Sequence, residues 1–266
     1  MSIINPAFTG TAADMEFNMG NQRMLGNLSK ISSYYALANY RITGRKHTGG
    51  PFSALGISIY NDQEGKYLNR SRIYLNYAWH ANILTNTKIS GGLSFGAMNY
   101  SVKGTPLSGN GSDLRADAAA GIQVYRKSFW LGVSVNQLFN SEVQPLQEIT
   151  VLAPYMNIMT GIKFELGEKF CVTPSASLRF PLSGVSQLRY RNLYDVNLQV
   201  SLLNKIQAGL GFHDNEKMVI TLGLENIIPA YGQIDFLLSY AFLVRENSNL
   251  STPLLEIGVV YRKSRK

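Results

Sequence analysis

Charge is scarce in this chain. Only 16% of its 266 residues are Asp, Glu, Lys or Arg, well under the roughly 25% usual for soluble domains. Cysteine is nearly absent. Cys171 stands alone, which excludes an intrachain disulfide and leaves a small apolar residue as the reading, because a reactive thiolate needs a neighbouring base or cation. Histidine is as sparse. His47, His80 and His213 lie far apart, without the spacing that zinc sites require. Long apolar runs are missing too: no window approaches the roughly 20 residues that a spanning helix needs, and mean hydropathy is near zero. No Gly-rich phosphate loop joins a strand to a helix, and no Gly-x-Ser-x-Gly elbow occurs in a strand–turn–helix setting. The expectation is a protein with no catalytic residue, no cofactor and no metal site.

Glycine, tyrosine and alternation are what the chain has instead, with 24 Gly and 15 Tyr. Tyr194, Val196, Leu198, Val200 and Leu202 share one parity, and Asp195, Asn197, Gln199 and Ser201 the other. A helix would scatter both sets around its cylinder, whereas a strand separates them onto two faces. The same order recurs in Leu55-Gly56-Ile57-Ser58-Ile59, Leu131-Gly132-Val133-Ser134-Val135 and Ile206-Gln207-Ala208-Gly209-Leu210. Turn residues separate these runs at Thr43-Gly44, 61–65, 82–86, 104–111, Arg126-Lys127, 141–154, Gly167-Glu168, Ser183-Gly184, Leu203-Asn204, Asp214-Asn215, 229–232 and 247–251. Two-residue gaps mean antiparallel hairpins.

The predicted strands cover 13–24, 30–43, 51–61, 70–82, 86–101, 115–126, 128–137, 153–166, 169–182, 192–203, 205–214, 216–225, 232–245 and 251–262. That makes an all-β chain of about fourteen antiparallel strands, each long enough to cross a bilayer. The polar parity is Gly, Ser, Ala and Asn rather than the Lys, Glu and Thr of a solvated sheet. The apolar face is therefore assigned to lipid and the small polar face to an interior. Because an open sheet edge in lipid would leave backbone groups unpaired, the sheet must close. One domain, a transmembrane β-barrel over 1–266, is expected. Tyr34, Tyr35, Tyr67, Trp79, Tyr100, Trp130, Tyr240 and Tyr261 lie near strand ends, where interfacial aromatic girdles occur.

The net charge of +8 comes from scattered Lys and Arg and two clusters, Arg41–Lys46 and Arg262–Lys266. Both sit at strand ends, which suits solvated loops or the headgroups of outer-membrane lipid, and no nucleic-acid partner is expected. A charged start followed by an apolar stretch is not visible. A barrel of this kind must cross the inner membrane, so a truncated start without its signal peptide is expected.

Several segments resemble the PorP/SprF family, outer-membrane components linked to the type IX secretion system of Bacteroidetes. They are Ile4-Asn5-Pro6-Ala7-Phe8-Thr9-Gly10, Gly56–Asp62 followed by Gly65, Asp117 with Gly121–Tyr125, Trp130–Phe139, Pro174-Ser175 with Pro181, Asp195–Leu198, Gly209–Phe212 and Glu256–Tyr261. The resemblance spans essentially the whole chain and rests on the order and spacing of motifs that are each weak alone. It implies a barrel in the outer membrane that works with the protein-secretion or gliding-motility machinery, in some members tethering a secreted adhesin, and no enzymatic chemistry.

The leading expectation is thus a non-enzymatic outer-membrane component that binds or anchors a secreted adhesin or other type IX cargo, or a periplasmic peptidoglycan-associated protein. The alternative is a porin or transporter for small solutes. Loops 102–114 and 141–154, the longest, are the candidate contact surfaces. Arg115, Asp117, Arg179, Asp195, Glu225 and Glu256 share the small polar parity and are expected to form a lumenal charge network, filling the interior or lining a solute path or a docking surface. His213 reads as a polar turn residue, since a hydrolase would need a nucleophile beside it.

Overall fold

In a computed structural model of the chain, described for residues 1–42, 50–104, 109–145, 150–182, 193–213, 217–227, 232–243 and 252–264, the alternating segments form the wall of one barrel. Its strands are β1 Met15–Met24, β2 Ser32–Ile42, β3 Phe52–Glu64, β4 Leu68–Leu84, β5 Thr87–Val102, β6 Gly111–Arg126, β7 Phe129–Asn136, β8 Tyr155–Ile162 with its continuation Phe164–Leu166, β9 Phe170–Pro181, β10 Leu193–Leu202, β11 Ile206–His213, β12 Lys217–Leu224, β13 Gln233–Leu243 and β14 Leu254–Lys263. Each pairs antiparallel with its neighbour in sequence, and β1 pairs with β14 from Met15↔Lys263 to Met24↔Leu254. The sheet is a closed barrel of 14 strands. Among the described residues no helix is long and apolar enough to cross a membrane.

The wall is greasy outside. Leu75 is 65% exposed while its neighbour Asn76 is 2% exposed, and the same inversion of a soluble core recurs around the barrel. Leu93, Phe95, Val196, Leu198, Leu210 and Leu222 point out, while Ser90, Ser94, Gln123, Ser134 and Ser201 are buried inside. A soluble protein rarely exposes a contiguous apolar surface of this extent, so the outward belt is the lipid face.

Strand direction sets the two ends. The turns 84–87, 126–129, 166–170 and 202–206 and the connections 42–52 and 224–233 lie at one end together with residues 15 and 263; the other end has the turns 64–68 and 213–217 and the connections 24–32, 102–111, 136–155, 181–193 and 243–254, longer on average. Outer-membrane barrels keep short turns toward the periplasm and long loops outside; the two ends are called inner and outer accordingly. One wall seam is imperfect. Pairing of β8 with β9 lapses opposite Thr173 and Pro174, because proline has no N–H to give the ladder.

Three of the expected girdle aromatics do not face lipid: Trp130 shares the parity of buried Gly132 and Ser134 and lies over Gly161 inside the wall, and Tyr35 and Tyr100 turn inward as well. Tyr35 points inward to donate to Glu256 Oε1 at 2.8 Å, and Tyr100 is buried at the outer mouth. Each shares the parity of its strand's lumenal residues, which decides the matter regardless of its position near a strand end. The turns expected at Thr43-Gly44, Ser183-Gly184, Asp214-Asn215 and 247–251 lie outside the described residues.

Candidate functional site

The lumen is not empty. Residues 1–14 run back up inside the barrel from the inner end of β1, and Ser2, Asn5, Pro6, Ala7, Phe8 and Thr9 are all buried there. Pro6–Phe8 forms one 3-10 turn, capped by the Asn5 side chain, whose Oδ1 accepts from the Ala7 N–H at 2.9 Å. Proline suits the first position of such a turn, since its missing N–H has no partner there anyway. The turn packs against β4, β5 and β6.

The wall is shaped to receive it. The Asn5 amide donates to the Ile122 carbonyl on β6 at 3.3 Å and to the Val133 carbonyl on β7 at 3.2 Å. Ser134 donates to the Ile4 carbonyl at 3.0 Å and Ser90 to the Ala7 carbonyl at 2.9 Å. His80 Nε2 lies 2.8 Å from the Thr9 carbonyl, so this nitrogen carries the proton, and Nδ1 accepts from the Tyr125 hydroxyl at 2.8 Å. Arg41 donates to the Gly10 carbonyl at 2.8 Å and pairs with Asp14 at 3.0 Å. Each such bond is worth on the order of 1 kcal/mol net, more where charge is involved. The fit also needs missing side chains. A Cβ on Gly92 would come within 2.4 Å of the Pro6–Ala7 backbone, and one on Gly121 within 2.1 Å of Asn5 Oδ1. Gly10 itself has φ +75° and abuts Ala54, a conformation and a clearance that only glycine supplies freely.

This plug fills the side of the lumen toward β2–β7. Cavities remain above it toward the outer end and on the β9–β14 side. Toward the outer end, a cavity of about 620 Å³ is lined by Ile4, Tyr60, Arg72, Tyr74, Asp117, Tyr155 and Arg179 among others. A second of about 350 Å³, lined by Ser177, Asp195, His213, Lys217 and Glu256, shares Ile4, Gln22 and Arg179 with it. Together they make one outer vestibule floored by the plug. Toward the inner end, a polar cavity of about 560 Å³ is lined by Thr173, Ser201, Gln207, Glu225, Asp235 and Arg262.

The expected charge residues divide among three places. Asp117, Arg179, Asp195 and Glu256 reach the outer vestibule. Glu225 faces the inner cavity, where Ser201 donates to it. Arg115 sits at the outer rim, 47% exposed, paired with Asp113 at 3.0 Å. Among the described residues no ion pair joins any two of the six. Their carboxylates take neutral or histidine donors instead: Tyr74 to Asp117 at 2.6 Å, Tyr35 and Gln22 to Glu256 at 2.8 Å each, and His213 Nδ1 at 2.5 Å and Ser177 at 3.0 Å on Asp195. Arg72, a vestibule residue not singled out in the sequence, shares the parity of Tyr74 and Asn76 and could have been found by that rule.

Of the two candidate loops, 141–154 folds over the mouth. Val143 and Leu152 pack with Met98 and Tyr100, and the Gln144 N–H donates to Asp113 Oδ2 at 2.7 Å. Positions 105–108 and 146–149 lie outside the described residues. Among the described residues, no group of His, Cys, Asp and Glu is arranged to hold a metal ion.

The profile of the family of type IX secretion system membrane proteins PorP/SprF matches residues 1–261. No curated protein matches the chain. Among solved structures, the toluene transporter TbuX of Ralstonia pickettii is similar at 10% identity and TM-score 0.61, over 99% of this chain and 93% of that one. The toluene transporter TodX of P. putida is similar at 9% identity and TM-score 0.59, over 100% and 94%. The outer membrane protein Omp33 of Acinetobacter baumannii follows at 11% identity and TM-score 0.53, over 94% and 98%. Identities this low speak to the fold alone.

Proposed function

The chain belongs to the PorP/SprF family of type IX secretion system membrane proteins, and from that premise we propose that it serves in the outer membrane as a non-catalytic docking barrel. Its outer vestibule and mouth hold an exported surface protein, an adhesin or other type IX cargo, and its inner end meets a periplasmic peptidoglycan-associated partner. The observation that carries this reading is the plug. A segment of the chain's own, fixed to the wall by Asn5, Ser90, His80 and Ser134, takes up lumen on the β2–β7 side and floors the recess that faces outward above it.

Small-solute transport is the competing reading, suggested by the neighbours that are toluene transporters. The lining speaks against a hydrocarbon in this chain. An apolar solute gains nothing from a vestibule set with Arg72, Asp117, Arg179, Asp195 and Glu256, whose polar groups it would desolvate without replacing their hydrogen bonds. Two measurements on the purified protein and its native membranes separate the readings. A docking barrel co-purifies with an exported surface protein and gives no steady current in planar bilayers. Steady single-channel current with no co-purifying protein would replace it with the transporter.

A further inference from the structure

Two guanidinium groups in the outer vestibule have no carboxylate within ion-pair distance among the described residues, Arg72 half-buried and Arg179 open to the cavity. Arg72 lies over the Tyr60 ring, 5.6 Å from its centroid, and its Nε is buried without a hydrogen-bond partner. Arg179 lies over the Tyr155 ring at 4.9 Å and spends its Nε on Asn157 Oδ1 at 3.1 Å. Both line the same cavity. The carboxylates around them are already engaged: Asp62 by Arg70 at 2.8 Å and Ser33, Asp117 by Tyr74, Asp195 by His213 and Ser177, Glu256 by Tyr35 and Gln22. Among the described residues none of these acids reaches either arginine within 4 Å. An aromatic ring behind a guanidinium fixes its plane without cancelling its charge, and the planar fork that remains matches a carboxylate bidentately.

We propose that the Arg72–Arg179 pair is a receptor for a carboxylate on an exported polypeptide, entering end-on from the outer mouth. This deepens the docking reading above and rests on it. A peptide fits better than a lipid-borne anion, because the two arginines stand inside the barrel wall above the plug, away from the lipid face where headgroups are held. The cavities, about 620 and 350 Å³, are of the size that takes a few residues of extended chain. Tyr60, Tyr74 and Tyr155 line the same space and supply flat contact surface beside the charges.

The test uses the full-length protein in detergent or nanodiscs and three dye-labelled alanine peptides: one with a free C-terminal carboxylate, its C-terminal amide, and an amidated peptide carrying a single Glu. Fluorescence anisotropy should show the free acid bound about tenfold or more tighter than the plain amide, the loss expected for one charge-assisted bidentate contact, with affinity falling as salt is raised. The Glu peptide tells the sources apart: binding like the free acid means any carboxylate serves, and binding like the amide means the chain end is read. Arg72→Gln and Arg179→Gln should each erase the acid–amide difference, and Arg72→Lys should restore part of it; circular dichroism and heat-modifiable migration in gels establish that each variant is folded. Acid and amide peptides binding alike, or neither binding, would overturn the proposal. If the native partner still co-purifies with a folded Arg72→Gln/Arg179→Gln double variant, the carboxylate receptor is wrong and the docking barrel stands. If no partner co-purifies with the parent protein, the docking reading itself has failed.

Discussion

At the scale of single residues, the plug depends on atoms that are absent as much as on those present. Asn5 carries the most specific contacts, yet its carbonyl partners Ile122 and Val133 lie 117 and 128 positions away. That distance is why the segment Ile4–Gly10 was legible as a family motif while its task was not: no local pattern connects it to β6 and β7. Glycine belongs to the small polar parity legible in the sequence, but which glycines face the plug follows only from the folded register. Gly121→Val should force the Asn5 side chain off its seat, at an overpacking cost of about 1–3 kcal/mol. Gly91→Val, with nothing within 4 Å of its Cβ, should do nothing. A cysteine placed at Ser2 in a Cys171→Ser background reports the difference through maleimide labelling, which should speed up in the first variant and remain slow in the second. Equal rates in both would show that the seat is not as tight as its geometry requires.

At the scale of elements, strand positions were legible to within a few residues because period-two alternation survives everywhere the wall has lipid on one side and lumen on the other. The misplacements have physical causes. The sequence pattern starts the sixth strand at 115, but the strand begins at Gly111, because beyond the membrane belt a barrel strand continues with polar residues on both faces and then looks like turn. The sequence pattern runs the eighth strand unbroken over 153–166, and the lapse in its pairing near Lys163 comes from Pro174 on the neighbouring strand rather than from its own sequence. Loop 141–154 stands out in the sequence by length alone; Val143 and Leu152 make it partly a lid on Met98 and Tyr100. The lipid face gives the sharpest prediction at this scale. Leu75, midway along β4 and 65% exposed, should tolerate alanine well, whereas Leu75→Arg should destabilise the barrel by about 2–4 kcal/mol in a bilayer. Urea titration of folding into lipid vesicles measures both, and an arginine without cost would move that face out of the hydrocarbon.

At the scale of the whole molecule, closure, lipid face and membrane class were all legible in composition and alternation, since lipid permits few other solutions for a chain of this kind. The uneven filling of the lumen was not, nor was the separation of the six expected charges into vestibule, rim and inner cavity, because both follow from how a returning segment meets strands distant in sequence. The toluene transporters of similar fold share only 10% and 9% of residues with this chain, so the likeness speaks to the fold and not to the lining. The plug is therefore the feature on which the functional reading turns. Its position is measured most directly by double electron–electron resonance in lipid nanodiscs, with nitroxides at Ile3, which lines the vestibule, and at Ile220 on the outer wall of β12, in the Cys171→Ser background. A seated plug gives one narrow distance distribution, within the span of the barrel. A broad distribution reaching beyond that span would put the segment outside the lumen and contradict the docking barrel at its foundation.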